Sequence, residues 1–191
     1  MPPIPKITKE QVLDAAYEIT KTEGIAAVNA RSIAKRLKCS THPVFRVYEN
    51  MESLKEDIVK RAEKHYNTRM MSGLEHPVPF LGMGIAYIQF AKEEKQLFKL
   101  LFLNESFSIH SFDDMVQGDD NEQIVQMIAG STQISTEQAK RVFLSIWLLM
   151  HGIATMIATN NAEIPIAELE DILTRGFKGF LQQEKRGNTD D

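Results

Sequence analysis

The chain has 191 residues, 43% hydrophobic and 25% charged, enough for one or two small domains with a real core. Its single cysteine, Cys39, excludes an intramolecular disulfide and the usual paired-cysteine zinc sites. The formal net charge of −4 hides an asymmetry: residues 1–48 hold eight Lys/Arg and four Asp/Glu, which leaves −8 for the remainder. A basic head on an acidic body suggests an anionic partner for the head.

In chain order, a first helix is predicted over 9–23. Thr8 and Gln11 form a capping box at its start, and Gly24 supplies its stop. Val12, Leu13, Ala16, Tyr17 and Ile19 recur at helical spacing. Asn29 caps a second helix over 30–37, on which Ile33 and Leu37 face one way. Lys38-Cys39 makes a tight turn. Ser40 then caps a short third helix reaching about Val47, with Pro43 in its first turn, where the missing N–H costs nothing. A fourth helix follows Asn50 and reaches about Met71, with Leu54, Ile58, Val59 and Ala62 as its apolar stripe and Gly73 as its stop. Pro77 and Pro79 open a fifth, carrying Met83, Tyr87, Ile88 and Phe90.

Residues 96–103 form a very apolar sixth helix. The stretch 104–121 reads as a loop or broken helix, and 122–129 as a short helix. Ser135 and Gln138 form another capping box before a long helix to about Thr159. Pro165 breaks the chain, a last helix covers 167–183, and 184–191 is a polar tail. The stretch 142–158 is apolar, but it is shorter than the ~20 residues a membrane span needs and it holds His151. It reads as a buried core helix. The N-terminus lacks the apolar run of a secretion signal, so a cytoplasmic protein without membrane contact is expected. No strand alternation or internal repeat is present. The expected fold class is all-α, with about nine helices.

Residues 30–48 have the layout of a helix-turn-helix: two short helices, a tight turn, and a second helix with polar side chains for a major groove. Ile33, Ala34 and Leu37 can bury against the first helix, and Val44 and Val47 can anchor the second from below. Thr41, His42, Phe45 and Arg46 are left outside. Ser40, Thr41 and Arg46 suit phosphates or base edges, and Thr41 or Phe45 suits a thymine methyl. Arg31, Lys35 and Lys38 add charge nearby. An ordinary helical hairpin would show the same pattern.

The order E-G, a short connection, then N-A-R-S-I-A-K-R-L-K-C-S-T-H-P-V-F-R-V-Y-E-N-M-E-S-L resembles the DNA-binding head of TetR/AcrR transcriptional regulators. Ile33-Ala34 and Leu54 match the family pattern directly, and Lys38-Cys39-Ser40 stands where its turn stands. The resemblance covers the first third of the chain. Over the rest it extends only to helix count, length and the pattern F-A…LFKLLF…W-L-L-M-H-G. Three departures stand out. Phe45 replaces a frequent phosphate-bonding tyrosine, Met51 a frequent backbone-contacting lysine, and His42-Pro43 occupy positions often filled by small residues.

The resemblance implies a three-helix helix-turn-helix domain over 6–66 and a helical effector-binding and dimerisation domain over 67–191. It implies a regulator, in all expectation a repressor, of double-stranded DNA carrying a palindromic operator, released by a small, mainly apolar effector. The alternative is a helical small-molecule-binding protein or enzyme whose head no longer binds DNA. The DNA-binding candidates are Asn29, Arg31, Lys38, Ser40, Thr41, His42, Phe45, Arg46 and Tyr48. Phe98, Phe102, Phe107, Trp147, Met150 and His151 are the ligand-binding candidates, although aromatics and Met at helical spacing also suit a plain core. The wide stripes of the last two helices, including Phe177, imply a four-helix homodimer interface. No catalytic or metal motif is present: the five histidines lack metal-ligand spacing, and no nucleophile elbow or phosphate-binding loop occurs. Gly82-Met83-Gly84 is too short a signal for a nucleotide site, and Asp113-Asp114 with Asp119-Asp120 reads as a solvated loop. No enzyme activity and no cofactor are expected.

Overall fold

The computed structural model describes residues 7–104 and 119–186, and all regular structure among them is helical. The helices are α1 (Lys9–Glu23), α2 (Ala30–Leu37), α3 (His42–Val47), α4 (Met51–Gly73), α5 (Pro79–Glu93), α6 (Lys95–Phe102), α7 (Asp119–Thr132), α8 (Thr136–Asn160) and α9 (Ile166–Arg186). A single 3-10 turn, Ile25–Ala27, joins α1 to α2. Phe107 and Asp113-Asp114 lie outside the described residues, as do the side chains of Asp119 and Asp120.

Two compact units form, each discontinuous in sequence. The first contains residues 7–68 and 94–104, the second residues 69–93 and 119–186. Helix α4 is continuous and contributes to both. Helix α6 belongs with α1 in the first unit.

In the first unit α1 is the hub, packing on α2, α3 and α6. Its inner face buries Val12, Ala15, Ala16, Tyr17 and Ile19, opposite Ile33, Val44, Leu97 and Phe98, while α4 adds Leu54 and Ile58. The Thr8–Gln11 capping box forms in both directions, which satisfies two N–H groups that no helical carbonyl reaches. At the start of α6, Glu94 accepts Lys21 Nζ at 3.0 Å. The Tyr17 hydroxyl meets His65 Nδ1 at 3.3 Å. Burial, and then the Glu94 charge, push the Tyr17 phenol up to about 12, so it stays a neutral hydrogen-bonding group.

In the second unit α5, α8 and α9 pack against one another and α7 lies on α8. Val125, Ile128, Ala139, Val142 and Phe143 form a buried cluster, with Phe80, Trp147, Phe177 and Phe180 packed around it. Helix α8 is long and apolar enough to cross a membrane by composition, and its inner face, with Val142, Phe143, Ile146 and Ile157, is core of this unit. Gln138 Nε2 donates to the Glu184 carbonyl at 2.7 Å, and Arg141 forms two-pronged bonds to the Glu184 carboxylate, tying α8 to the end of α9. The two glycines of Gly82-Met83-Gly84 serve packing. A Cβ at Gly84 would lie 2.7 Å from Met150 Sδ, and one at Gly82 would lie 2.1 Å from the Gly73 carbonyl oxygen.

Helix ends differ from expectation where an unexpected residue takes the left-handed stop. Helix α7 runs through Gly130 and ends before Gln133, which adopts φ 57° while Ile134 N–H closes onto the Ala129 carbonyl. Helix α8 ends on Asn161 at φ 53°, a conformation asparagine tolerates. Helix α3 starts at His42, with Thr41 at the cap position and no side-chain cap bond, so Ser40 does not cap it.

Candidate nucleic-acid interface

The helix-turn-helix is assembled from local chemistry. Asn29 Oδ1 accepts the N–H groups of Arg31 and Ser32, both at 3.0 Å, and Ser32 Oγ accepts the Asn29 N–H. The Asn29 amide also donates to the Ala27 carbonyl at 3.2 Å. Its side chain is thus spent on starting α2. Helix α2 stops at Lys38, whose φ of 53° and ψ of 44° are left-handed, and Cys39 N–H closes onto the Ala34 carbonyl at 3.0 Å. A side chain in that region costs about 1 kcal/mol, an expense that glycine avoids. Val44 of α3 is fully buried, which sets α3 against α1 and α2.

Outside this anchor, Arg31, Lys38, Ser40, His42, Phe45 and Arg46 are exposed, and Thr41 is partly exposed. Arg31, Lys35 and Lys38 form no ion pair among the described residues, whereas Arg36 reaches Glu18 at 3.9 Å. This leaves uncompensated positive charge beside α3. Arg46 is exposed, but its Nη2 donates to the Ile7 carbonyl at 2.8 Å.

Tyr48 departs from its expected place on the outer surface. It is only 4% exposed, and its hydroxyl donates to Asp57 Oδ2 at 3.0 Å. Lys9 Nζ pairs with the same carboxylate oxygen at 2.8 Å and lies 4.7 Å over the Tyr48 ring. The Lys9 and Tyr48 hydrogen bonds hold the Asp57 carboxyl below its usual range. Burial and the bond to Asp57 push the Tyr48 phenol upward. Tyr48 therefore clamps the end of α3 to α1 and α4. Lys9 and Asp57 are supporting residues that the sequence does not flag, because they lie 48 positions apart and meet only in the fold. Tyr48 did carry a signal: it follows the buried Val44 by four residues, so it shares its face.

Five of the six ligand-binding candidates are among the described residues, and they divide between the two units. Phe98 and Phe102 belong to the first unit, with ring centroids 5.2 Å apart, and Tyr66 meets Phe102 edge-on at 5.0 Å. Trp147, Met150 and His151 belong to the second. Phe98 is fully buried and Met150 faces Gly84, so both are core residues of this structure. Trp147 stacks on the His151 ring at 4.7 Å and 9°. Tyr87, which the sequence marks only as a residue of the fifth helix, brings its hydroxyl to His151 Nδ1 at 2.9 Å. Among the described residues no cluster of three His, Cys, Asp or Glu could hold a metal ion.

Burial lowers the His151 pKa below its ordinary 6.5. As pH falls through the unfolded value, the unfolded chain takes up the proton first, and the folded state loses relative stability. Above that pH the group contributes no slope. Denaturant midpoints of the wild type should therefore fall between about pH 7 and about pH 5 more steeply than those of His151→Gln. Equal slopes would show that the ring is not held neutral.

No family model matches the chain, and no curated protein matches it. Among solved structures it is similar to a TetR-like transcriptional regulator from Rhodococcus sp. RHA1, with 14% identity, 96% of each chain covered and a TM-score of 0.59. At that identity the likeness is one of fold. The chain has the all-helical fold of a TetR-like transcriptional regulator.

Proposed function

We propose that the protein is a DNA-binding transcriptional regulator that acts as a repressor. In this reading it is cytoplasmic, has no catalytic role and needs no cofactor. The observation that carries the proposal is a capped helix-turn-helix with unpaired Arg31, Lys35 and Lys38 beside α3, inside a chain with a TetR-like fold. Cations at that position suit phosphates, and the exposed face of α3 suits base edges. The first unit reads DNA, and the second senses a small, mainly apolar ligand. Trp147 and His151, both half-buried and stacked, offer such a ligand an aromatic surface edged by polar ring nitrogens, with Tyr87 buried behind them.

The test is enrichment of duplexes from a random library. The expected result is a palindromic consensus bound with strong salt sensitivity. Binding of an apolar compound without enrichment of any duplex would favour a ligand-binding protein that has lost DNA contact, a reading to which the Phe45 and Met51 departures point.

A palindromic operator calls for a twofold dimer. On α8, Leu148 and Met156 are 45% and 48% exposed, and Gly152 between them has open space around it. Positions 148, 152 and 156 share one helix face, and an apolar face of this kind is suited to burial against a second copy. Phe177, by contrast, packs on the core cluster with its ring 5.2 Å from that of Phe80, so a charge there would disturb folding. Leu148→Glu should convert a dimer into a folded monomer in sedimentation at micromolar concentration. A monomeric wild type would overturn the dimer, and a variant that remains dimeric would place the interface elsewhere.

A further inference from the structure

Helix α3 turns Val44 inward and is followed by Tyr48, also buried. His42, Phe45 and Arg46 remain exposed on its outer face, and the structure treats the last two differently. Arg46 is drawn back along its own unit, donating through Nη2 to the Ile7 carbonyl at 2.8 Å across 39 positions of sequence. A guanidinium held there is not extended towards a guanine edge. Phe45 is 54% exposed, the most exposed large apolar side chain among the described residues of the first unit. It stands on the face that carries His42, on a helix that packs against α2, the carrier of unpaired Arg31 and Lys35. A ring offers a base no hydrogen bond in the groove plane, so its means of discrimination is apolar contact. In the major groove only thymine presents a methyl group.

We propose that the recognition helix reads a thymine through Phe45, whose ring covers the C5 methyl, and that Arg46 is a positioning residue fastening the start of α1 to α3. The proposal rests on the DNA-binding reading above and adds the base chemistry to it. The Lys9 contacts to Tyr48 and Asp57 make a second fastening at the same end of α3. Arg46 thus helps to orient the helix from which Phe45 projects.

The probe is a duplex enriched by the wild-type protein, with each thymine replaced in turn by deoxyuridine. This change removes the methyl and keeps pairing and the O4 acceptor. The wild type should lose about fourfold in affinity at one thymine of the site, the order of one buried methyl group. Phe45→Ala should bind the thymine and uracil forms equally, and Phe45→Leu should retain part of the difference. Both variants alter an exposed side chain, so folding is preserved. Arg46→Ala should weaken all duplexes alike with an unchanged salt slope, since no phosphate contact is lost. Arg46→Lys, which keeps a donor for the Ile7 carbonyl, should recover part of the loss. A wild type indifferent to every methyl, or a Phe45→Ala protein as sensitive as wild type, overturns the Phe45 assignment. A salt slope lowered by about one in Arg46→Ala, or preference relaxed at a single base pair, overturns the positioning role. Failure to enrich any duplex overturns the DNA-binding reading and this proposal with it, whereas an enriched duplex with methyl-indifferent binding overturns this proposal alone.

Discussion

Replacing Phe98 by alanine should lower the unfolding free energy by about 3–5 kcal/mol, a large share of the ~5–15 kcal/mol that holds a typical domain. Phe98 is fully buried, with its ring 5.2 Å from Phe102, and α6 packs it towards α1 in the first unit. Alanine removes the ring and leaves a cavity that the surrounding core refills only in part. Phe102 is only partly buried, so Phe102→Ala should cost clearly less. The measurement is chemical denaturation followed by far-UV circular dichroism, supported by amide exchange in α1. The contrast with a ligand contact is direct: a residue lining an open pocket can be truncated with little loss in the ligand-free protein. A Phe98→Ala protein within about 1 kcal/mol of wild type would return Phe98 to the pocket.

Phe98 also shows where sequence reading stops. The motif LFKLLF marks an apolar helix, and α6 is that helix. Its partner is a tertiary fact. Phe98 and Trp147 look alike as aromatics on apolar helices, yet the fold packs α6, which carries one, on α1 and sets the other, on α8, against the cluster that α7 and α8 form. Local chemistry was the legible part. The capping boxes at Thr8–Gln11 and Ser135–Gln138 and the Asn29 cap are all present, because each involves residues within three positions of one another. Interactions across the fold left no such mark. Arg46 reads as a base contact from its place on α3, and only the path of the chain brings the Ile7 carbonyl to it. Asn29 reads both as the cap of α2 and as a DNA-binding candidate, and its side-chain oxygen is occupied by α2 itself. The departures from family pattern at Phe45 and Met51 were visible in the sequence. What they do depends on exposure, and Phe45 is exposed where Met51 is partly buried.

Gly82→Ala should destabilise the protein by about 1–3 kcal/mol even though alanine is the better helix former. The added methyl would lie 2.1 Å from the Gly73 carbonyl oxygen and 2.3 Å from His76 Cβ. From the other side, a Cβ at Gly73 would lie 2.7 Å from the Gly82 carbonyl and the Met83 nitrogen. These are backbone atoms or a Cβ fixed to backbone, so no side-chain rotation can make room. The end of α4 and the start of α5 must separate by about 1 Å to restore ordinary contact, and that separation disturbs the packing around them. The turn between them has little slack: His76 Nδ1 accepts Val78 N–H at 3.0 Å, and Gly82 N–H donates to the Val78 carbonyl at 3.0 Å. Gly130→Ala is the control. Gly130 is also helical, nothing lies within 4 Å of its added methyl, and the change should stabilise by about 0.5 kcal/mol through backbone entropy. The two substitutions are chemically identical, so opposite signs in denaturant midpoint isolate the crossing as the cause. A Gly82→Ala protein at least as stable as wild type would mean that α4 and α5 do not meet backbone to backbone at this point.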